Sequence, residues 1–146
     1  MIILVKNEMK LQIPSKSLNE SFVRIAVASF FAQLDPTVDE ISDIKTAVSE
    51  AVTNSIVHGY ENTIGTIYIH AKILDDKTIY IKIKDKGCGI ENVDKAKEPM
   101  YTTCKTGERS GLGFTVMQSF MDRLKVISKI GKGTTVTLIK TLNKRF

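Results

Sequence analysis

The stretch from Thr66 to Gly89, TIYIHAKILDDKTIYIKIKDKGCG, decides the fold of this chain. On both sides of Asp75-Asp76, isoleucine or alanine occupies every second position, and lysines, tyrosines and a histidine lie between them. Alternation of this kind predicts two half-buried β-strands joined by the acidic turn. Asp85 continues the isoleucine series, so its carboxylate is expected on the buried face, where it needs hydrogen-bonding partners.

Helical and strand patterns flank this hairpin on both sides. The further predicted elements are a strand 9–13, helices 17–34 and 38–57, a short helix 93–97, a helix 114–124 and strands 126–130 and 134–139. Ser17 or Asn19 is the expected cap of the first helix, and Gly59 is placed to cap the second at its end. Since strands adjacent in sequence pair, we predict an α/β two-layer sandwich, a mostly antiparallel mixed sheet with helices on one face.

Size and composition are those of one soluble globular domain. The chain has 146 residues, of which 42% are hydrophobic and 25% charged, so we expect a single domain over 1–146. The apolar run from Met1 to Val5 is too short for a signal sequence or a membrane span, which favours a cytoplasmic protein with no membrane partner. Two cysteines and two histidines, far apart, argue against a disulfide framework or a zinc site.

The net charge of +5 permits nucleic acid binding without requiring it. The lysines are spread along the chain, and no basic run carries interleaved aromatic residues. A solvated surface, an acidic protein partner or a nucleotide explains the charge equally well. We therefore expect no direct contact with nucleic acid.

The first helix is apolar on two sides. Its two stripes are Phe22, Ile25, Ala26, Phe30 and Leu34, and Val23, Val27 and Phe31. A helix of this kind is buried on both sides. In so small a domain we expect the second side to contact another protein chain. The simpler alternative is a central core helix.

Glu50 and Asn54 lie one turn apart on the second helix, opposite its core stripe. That stripe comprises Ile41, Ile44, Val48, Val52 and Ile56. Magnesium prefers hard oxygen ligands, and the Asn54 amide supplies one without adding negative charge beside a phosphate. The Glu50 carboxylate could orient or deprotonate a water or a hydroxyl. Taken alone, the pair is more simply two solvated helix residues.

Three glycine-rich turns follow: Gly87-Cys88-Gly89, Gly111-Leu112-Gly113 and Gly133-Thr134. Asp85 can accept a hydrogen bond from an exocyclic amine such as that of adenine, and the glycines let the backbone approach a ligand closely. The second turn precedes a helix, whose free N–H groups favour phosphate, and Arg109 is a candidate for the terminal phosphate. Neither a P-loop nor a Rossmann fingerprint is present. The sequence therefore predicts a nucleotide site of another type.

These boxes resemble those of the Bergerat-fold (GHKL) ATP-binding superfamily, which includes gyrase and histidine kinases. Glu50 to Asn54 is similar to its N-box, Asp85 to Gly89 to its DxGxG box, Ser110 to Phe114 to its second glycine box, and Gly133-Thr134 to its last box. All four boxes occur in the order that the superfamily has. The match therefore implies the Bergerat fold and an ATP site.

A closer resemblance, over about 7–141, is to the anti-sigma F factor family of spore-forming bacteria. The stretches that carry it are 34–37, 48–54, 58–60 and 108–111. Members of this family are protein serine kinases that hold a sporulation sigma factor inactive and phosphorylate a small anti-anti-sigma protein with MgATP. They are dimeric, which implies a homodimer formed through the N-terminal strand and the first helix.

The resemblance also implies roles for individual residues. Glu50 would be the general base toward the substrate serine, Asn54 would bind Mg²⁺, and Asp85 would read the adenine amine with help from Thr134. The residues implied to shape the pocket are Gly87, Gly89, Gly111 and Gly113. Arg109 would contact the γ-phosphate, and the segment from about Lys97 to Ser110 would be the ATP lid. Glu20 and Arg24 would face the sigma factor.

One departure and four alternatives remain. Relatives tend to carry Thr-Thr-Lys in the lid where this chain has Thr102-Thr103-Cys104-Lys105, which puts the phosphate contact of Lys105 in doubt. A general-stress anti-sigma kinase would share every site, and an ATP-gated sigma-binding module would lack useful phosphotransfer; Glu50 favours a kinase. An ATPase domain or histidine-kinase fragment is disfavoured, since we find no transducer segment and no phosphoacceptor helix pair.

Overall fold

The computed structural model describes residues 4–74, 77–97 and 113–143. Its strands are β1 (Val5–Pro14), β2 (Thr66–Leu74), β3 (Thr78–Asp85), β4 (Arg123–Lys129) and β5 (Gly133–Thr141). Its helices are α1 (Asn19–Phe31), α2 (Val38–Asn54), α3 (Val93–Ala96) and α4 (Gly113–Phe120). The strands form one sheet in the order β1-β2-β3-β5-β4, and each of these pairings is antiparallel.

The core lies between one face of the sheet and the helices, as the sequence predicted. Ile69 and Ile81 pair with neighbours across β2 and β3, and the inward isoleucines of both strands are no more than 4% exposed. They form a single cluster with buried residues of α1, α2 and α4. The predicted two-layer α/β sandwich is confirmed, and its sheet is antiparallel in every pairing among the described strands.

The two apolar stripes of α1 differ in how far they are buried. Val23, Val27 and Phe31 are completely buried against the core, whereas Phe22 and Ile25 are 54% and 60% exposed. The simpler expectation of a helix buried in the core on both sides is therefore wrong within this chain. One stripe anchors α1 to its own domain. In the other stripe Phe22 and Ile25 stay on the surface, while Phe30 and Leu34 pack partly buried against the core.

The start of α1 differs from the prediction. Leu18 is the N-cap and makes no side-chain capping bond, so neither Ser17 nor Asn19 caps the helix. The side-chain amide of Asn19 instead donates to the carbonyl of Pro14 at 3.0 Å. That bond ties the first turn of α1 to the end of β1.

The predicted second helix divides into two parts. It is α-helical over Val38–Asn54, and a π-helical turn covers Ser55–Gly59. Gly59 is not a left-handed cap, since it is absent from the positive-φ glycines of the described chain, so that prediction was wrong. A Cβ on Gly59 would lie 2.8 Å from Oδ2 of Asp85, so glycine is required by close packing instead.

The N-terminus of α2 carries a complete capping box. The Thr37 side chain accepts from the backbone N–H of Glu40 at 3.0 Å, and the Glu40 carboxylate accepts from the N–H of Thr37 at 2.8 Å. The second carboxylate oxygen accepts from the N–H of Asn143 at 2.8 Å. This box therefore joins the start of α2 to the segment that follows β5.

We expect Thr37→Ala to lower the free energy of unfolding by about 1 kcal/mol, because one N–H at the helix start loses its acceptor. Ser17→Ala is a matched control, since Ser17 precedes a helix to which it contributes no cap. Urea unfolding followed by circular dichroism measures both. Equal midpoints for the two variants would show that the Thr37 cap adds nothing to stability.

Among the described residues, no helix is both long and apolar enough to cross a membrane. The longest, α2, carries several charged residues along its 17 positions.

Candidate nucleotide site

The site is built around Asp85, the last residue of β3, which is 3% exposed. Its Oδ2 accepts from the Ser55 hydroxyl at 2.8 Å, and its Oδ1 accepts from the N–H groups of Gly87 at 2.9 Å and Thr134 at 3.3 Å. A carboxylate offers about four acceptor positions. Oδ2 therefore keeps acceptor capacity for a ligand's amine.

Burial and hydrogen bonding act on this carboxyl in opposite directions. Removal from water raises the pKa of Asp85, and the bonds from Gly87, Ser55 and Thr134 oppose that rise. Burial has the larger effect, so the pKa of Asp85 is raised. The charged form of Asp85 is therefore less stable in the fold than it would be in water. A group kept at such a cost is a common mark of a functional site.

The structure identifies Ser55 as a site residue that the sequence reading missed. Ser55 is 4% exposed and opens the π-helical turn after α2. Its neighbour Asn54 was selected from the sequence because it falls on the side of the helix opposite the core stripe. Ser55 lies seven residues after Val48, on the same face as the core stripe, so helical periodicity predicts its burial. A polar residue at a buried helix position was the signal available for it.

Close packing explains the glycines of the first and third boxes. A Cβ on Gly87 would lie 2.0 Å from the carbonyl oxygen of Gly59, and one on Gly133 would lie 2.1 Å from that of Asp85. Gly89 has φ +80°, and a Cβ there would meet the Lys129 carbonyl at 2.2 Å. The predicted close approach is real, but within the described residues it is between segments of the chain itself.

A second set of bonds fixes Thr134, which is 7% exposed and pairs with Asp85 across the sheet. Its hydroxyl lies 2.7 Å from that of Ser128, and either of the two can be the donor. The Ser128 hydroxyl also lies 3.0 Å from the Gly133 carbonyl oxygen. In either arrangement Thr134 Oγ1 keeps at least one acceptor lone pair next to Asp85.

Glu50 and Asn54 are both partly buried on α2 rather than solvated. Asn54 is the last α-helical residue and directly precedes Ser55, which binds Asp85. Glu50 lines a cavity of about 380 Å³ between α1 and α2. The other residues that line it are Arg24, Ser42, Lys45, Thr46 and Ser49.

That cavity also contains one of the residues that the family resemblance assigned to a partner surface. Arg24 lines it together with Glu50, and an ion pair of 3.8 Å joins Arg24 to Glu20. Glu20 in turn accepts a hydrogen bond from the hydroxyl of Ser49. The predicted general base and the predicted partner contacts, 26 or more residues apart in sequence, therefore adjoin one cavity.

The remaining predicted phosphate contacts cannot be placed. Arg109 and Gly111 lie outside the described residues, as does most of the predicted lid between Lys97 and Ser110, including Cys104 and Lys105. Gly113 is the first residue of α4, in keeping with a glycine box that opens a helix.

Cys88 lies in the turn between Gly87 and Gly89, and its thiol donates to the His58 carbonyl at 3.0 Å. Burial raises the pKa of Cys88 above its ordinary value of 9.0. Because the thiolate is the reactive form, we expect iodoacetamide at pH 8 to react more slowly with the folded chain than with the unfolded chain. A Cys104→Ser background isolates the signal. A folded rate equal to the unfolded one would contradict the raised pKa.

The fold and the Asp85 pocket define a domain of the histidine kinase-like ATPase class. The family model described as "Histidine kinase-like ATPase domain" matches residues 14–140. The chain therefore belongs to this family, and an ATPase domain implies ATP binding.

Sequence comparison assigns the chain more narrowly, to the anti-sigma F factor family. It is 55% identical over 141 residues to an anti-sigma F factor of Anoxybacillus flavithermus, with 96% of each chain covered. It is 59% identical over 138 residues to one of Caldanaerobacter subterraneus subsp. tengcongensis, with 94% of this chain and 96% of the relative covered.

Solved structures support the fold. The RsbU and RsbW domains of a Mycobacterium tuberculosis protein match with a TM-score of 0.70 and 19% identity, over 96% of this chain and 34% of that one. The histidine kinase domain of a blue-light activated kinase from Erythrobacter litoralis matches with a TM-score of 0.54 and 17% identity, over 84% and 61%. At these identities the likeness concerns architecture alone.

Proposed function

We propose that this chain is an anti-sigma factor and a protein serine kinase. It binds and inhibits a sporulation sigma factor of the sigma F type, and it phosphorylates an anti-anti-sigma protein on serine with MgATP. The observation that carries the proposal is similarity to proteins named anti-sigma F factor at 50–59% identity over nearly the whole chain. The proposal treats residues 1–146 as one cytoplasmic kinase domain.

In this proposal the adenine base occupies the pocket of Asp85. An adenine amine donates to Oδ2, whose one partner among the described residues is the Ser55 hydroxyl. An acceptor lone pair of Thr134 lies beside it in the sheet register. Gly87 and Gly89 hold the turn, and Gly111, Gly113 and Arg109 act on the phosphates. A hydrogen-bond acceptor that is already buried and oriented favours a donor edge such as that of adenine.

Magnesium would be held by Asn54 and by the phosphates of the nucleotide. No group of three or more histidine, cysteine, aspartate or glutamate residues that could hold a metal occurs in the described part of the chain. That composition fits Mg²⁺, which commonly uses one or two protein oxygens together with substrate phosphates and water. When bound, the ion neutralises charge on the phosphates during transfer.

Glu50 takes the proton of the substrate serine. The serine Oγ attacks the γ-phosphorus, the bond from that phosphorus to the β–γ bridging oxygen breaks, and ADP leaves. The cavity beside Glu50 has room for an incoming side chain, and its wall carries the hydroxyls of Ser42, Thr46 and Ser49. These groups can hydrogen-bond a polypeptide that enters from the α1 side.

Partner surfaces follow from α1 and β1. Glu20 and Arg24 form the proposed sigma-facing pair at the mouth of the Glu50 cavity. Phe22 and Ile25 are exposed apolar side chains on the surface of α1. Strand β1 is an edge strand of the sheet. An exposed apolar stripe next to an unpaired edge is suited to a homodimer contact.

The decisive experiment mixes the protein with radiolabelled ATP, Mg²⁺ and a cognate anti-anti-sigma protein. We expect labelled phosphoserine on the acceptor, and nucleotide-dependent retention of a sigma F-type factor in a pull-down. Retention without any phosphoserine would identify an ATP-gated binding module. Retention of a general-stress sigma factor in place of the sporulation one would identify the other type of anti-sigma kinase.

A further inference from the structure

The sheet face that the helices leave uncovered is strongly basic. Because β-strand side chains alternate, cross-strand partners share a face, and the register gathers one set of side chains there. The basic residues on this face are Lys10, Lys72, Lys82, Lys84, Arg123, Lys125 and Lys129. Lys86 joins them, since its ammonium lies 5.2 Å from the centre of the Tyr68 ring.

This face is far more positively charged than the rest of the chain. Of the 21 lysines and arginines it holds these eight, and of the 16 acidic residues its described strand rows hold only Glu8. The face thus carries +7, while the other 13 basic and 15 acidic residues of the sequence sum to −2. The carboxylate of Glu8 is hydrogen-bonded to His70, whose Nε2 lies 2.7 Å from it. A field of one sign attracts a polyanion.

Two tyrosines lie among these cations. The ammonium of Lys72 lies 4.9 Å from the centre of the Tyr80 ring, and Lys86 covers Tyr68 in the same way. One cross-strand row runs from Lys10 through His70 and Lys82 to Lys125. Aromatic rings and regularly spaced ammonium groups on an open sheet are the elements with which proteins bind single-stranded nucleic acid.

We propose that this basic face binds single-stranded nucleic acid, with lysines on the phosphates and Tyr80 stacking on a base. A five-stranded sheet is about 19 Å wide at the usual strand spacing, wider than the major groove of about 12 Å. The face therefore cannot enter the major groove, and a duplex could touch it only with its sugar–phosphate backbone. A single strand, in contrast, can lie across the face with its bases exposed to the tyrosines. A membrane is less suited, since the large apolar residues exposed on this face and the β4–β5 turn are few, namely Val5, Ile127 and Ile130 among the described residues.

Fluorescence anisotropy with labelled 20-nucleotide RNA and DNA of mixed sequence tests this face. We expect dissociation constants in the micromolar range at about 100 mM KCl, with affinity falling steeply as salt rises. Lys82→Gln with Lys125→Gln should weaken binding about tenfold and reduce the log–log salt slope by about 1.4, since each phosphate contact contributes about 0.7. Tyr80→Leu should weaken binding about tenfold and leave the slope unchanged.

Lys16→Gln with Lys95→Gln is the matched control, because it removes the same charge at exposed positions off this face. It should change affinity by less than about twofold. Unaltered ATP binding and thermal melting establish that each variant is folded. Equal losses in the two double variants, or no oligonucleotide binding at about 50 mM KCl, would overturn the proposal. So would binding to phosphatidylserine vesicles or polyglutamate with none to oligonucleotides.

Discussion

Replacing Asp85 with asparagine is expected to weaken ATP binding at least about 100-fold while leaving the domain folded. The carboxylate accepts bonds from Ser55, Gly87 and Thr134, and it retains an acceptor position for the base. An amide replaces one of the two acceptor oxygens with a donor, which would face other donors. Hydrogen bonds to a charged group contribute about 1.5–3 kcal/mol each. Loss of the bond to the base and misorientation of the turn together give the expected factor.

At neutral pH the same substitution also removes the cost of burying a charge, which offsets the hydrogen bonds that the amide cannot accept. The folded-state pKa of Asp85 is raised above the ordinary value of 3.8, chiefly by burial. The folded protein therefore binds the proton more tightly than the unfolded chain does. The resulting stability is fully present below pH 3.8 and is lost as the pH rises through the folded pKa. An uncharged asparagine escapes that loss at pH 7.

Isothermal titration with ATP and urea unfolding measure the two effects separately. Wild type should gain stability relative to Asp85→Asn as the pH falls from 7 toward 4. Asp122→Asn is the matched control, because Asp122 is exposed and accepts a backbone N–H, that of Thr141, away from the pocket. Unchanged ATP affinity in Asp85→Asn would exclude the assigned adenine contact.

Alternation made the centre of the fold predictable. The β2–β3 isoleucines are inward at every position, and the same phase correctly places Asp85 on the buried face. Period-two patterns specify a face directly, since a slip of one residue would expose the entire set. The buried faces of β2 and β3, and the burial of Asp85, follow from that rule, whereas the pairing of β3 with β5 does not.

Features that depend on packing between distant segments were not predictable. Gly59 was assigned to a cap because helix ends favour glycine, yet it is needed where the chain passes the Asp85 carboxylate. Ser55 lies on the core face of the helix, and its hydroxyl donates to Asp85. The identity of neither partner can be deduced locally, because both contacts join positions at least 26 residues apart.

The basic face shows the same limit at the level of charge. In sequence order none of its basic residues adjoins another lysine or arginine, so no basic run is visible. Lys82 and Lys125 are 43 positions apart, yet both pair with Thr137 across the sheet. The expectation of no contact with nucleic acid was based on the linear spacing, and the proposal here reverses it on the basis of the register.

Glu50→Gln is expected to lower the rate of phosphotransfer by about 10²–10⁴-fold, the usual contribution of a general base. Glutamine keeps the shape of the side chain but cannot accept the serine proton. ATP affinity should stay within about twofold, since the residues proposed to bind the base and the metal are Asp85, Thr134 and Asn54. The substitution should therefore separate chemistry from binding.

Single-turnover transfer of labelled phosphate to the anti-anti-sigma protein, with ATP titrated in parallel, measures both quantities. Glu8→Gln is the matched control, because Glu8 lies on the uncovered sheet face and bonds to His70. It should transfer phosphate at the wild-type rate. Equal loss of transfer and of ATP affinity in Glu50→Gln would reassign Glu50 to nucleotide binding. A full rate would mean that the serine is deprotonated by another group, and that the cavity between α1 and α2 serves only to hold the partner.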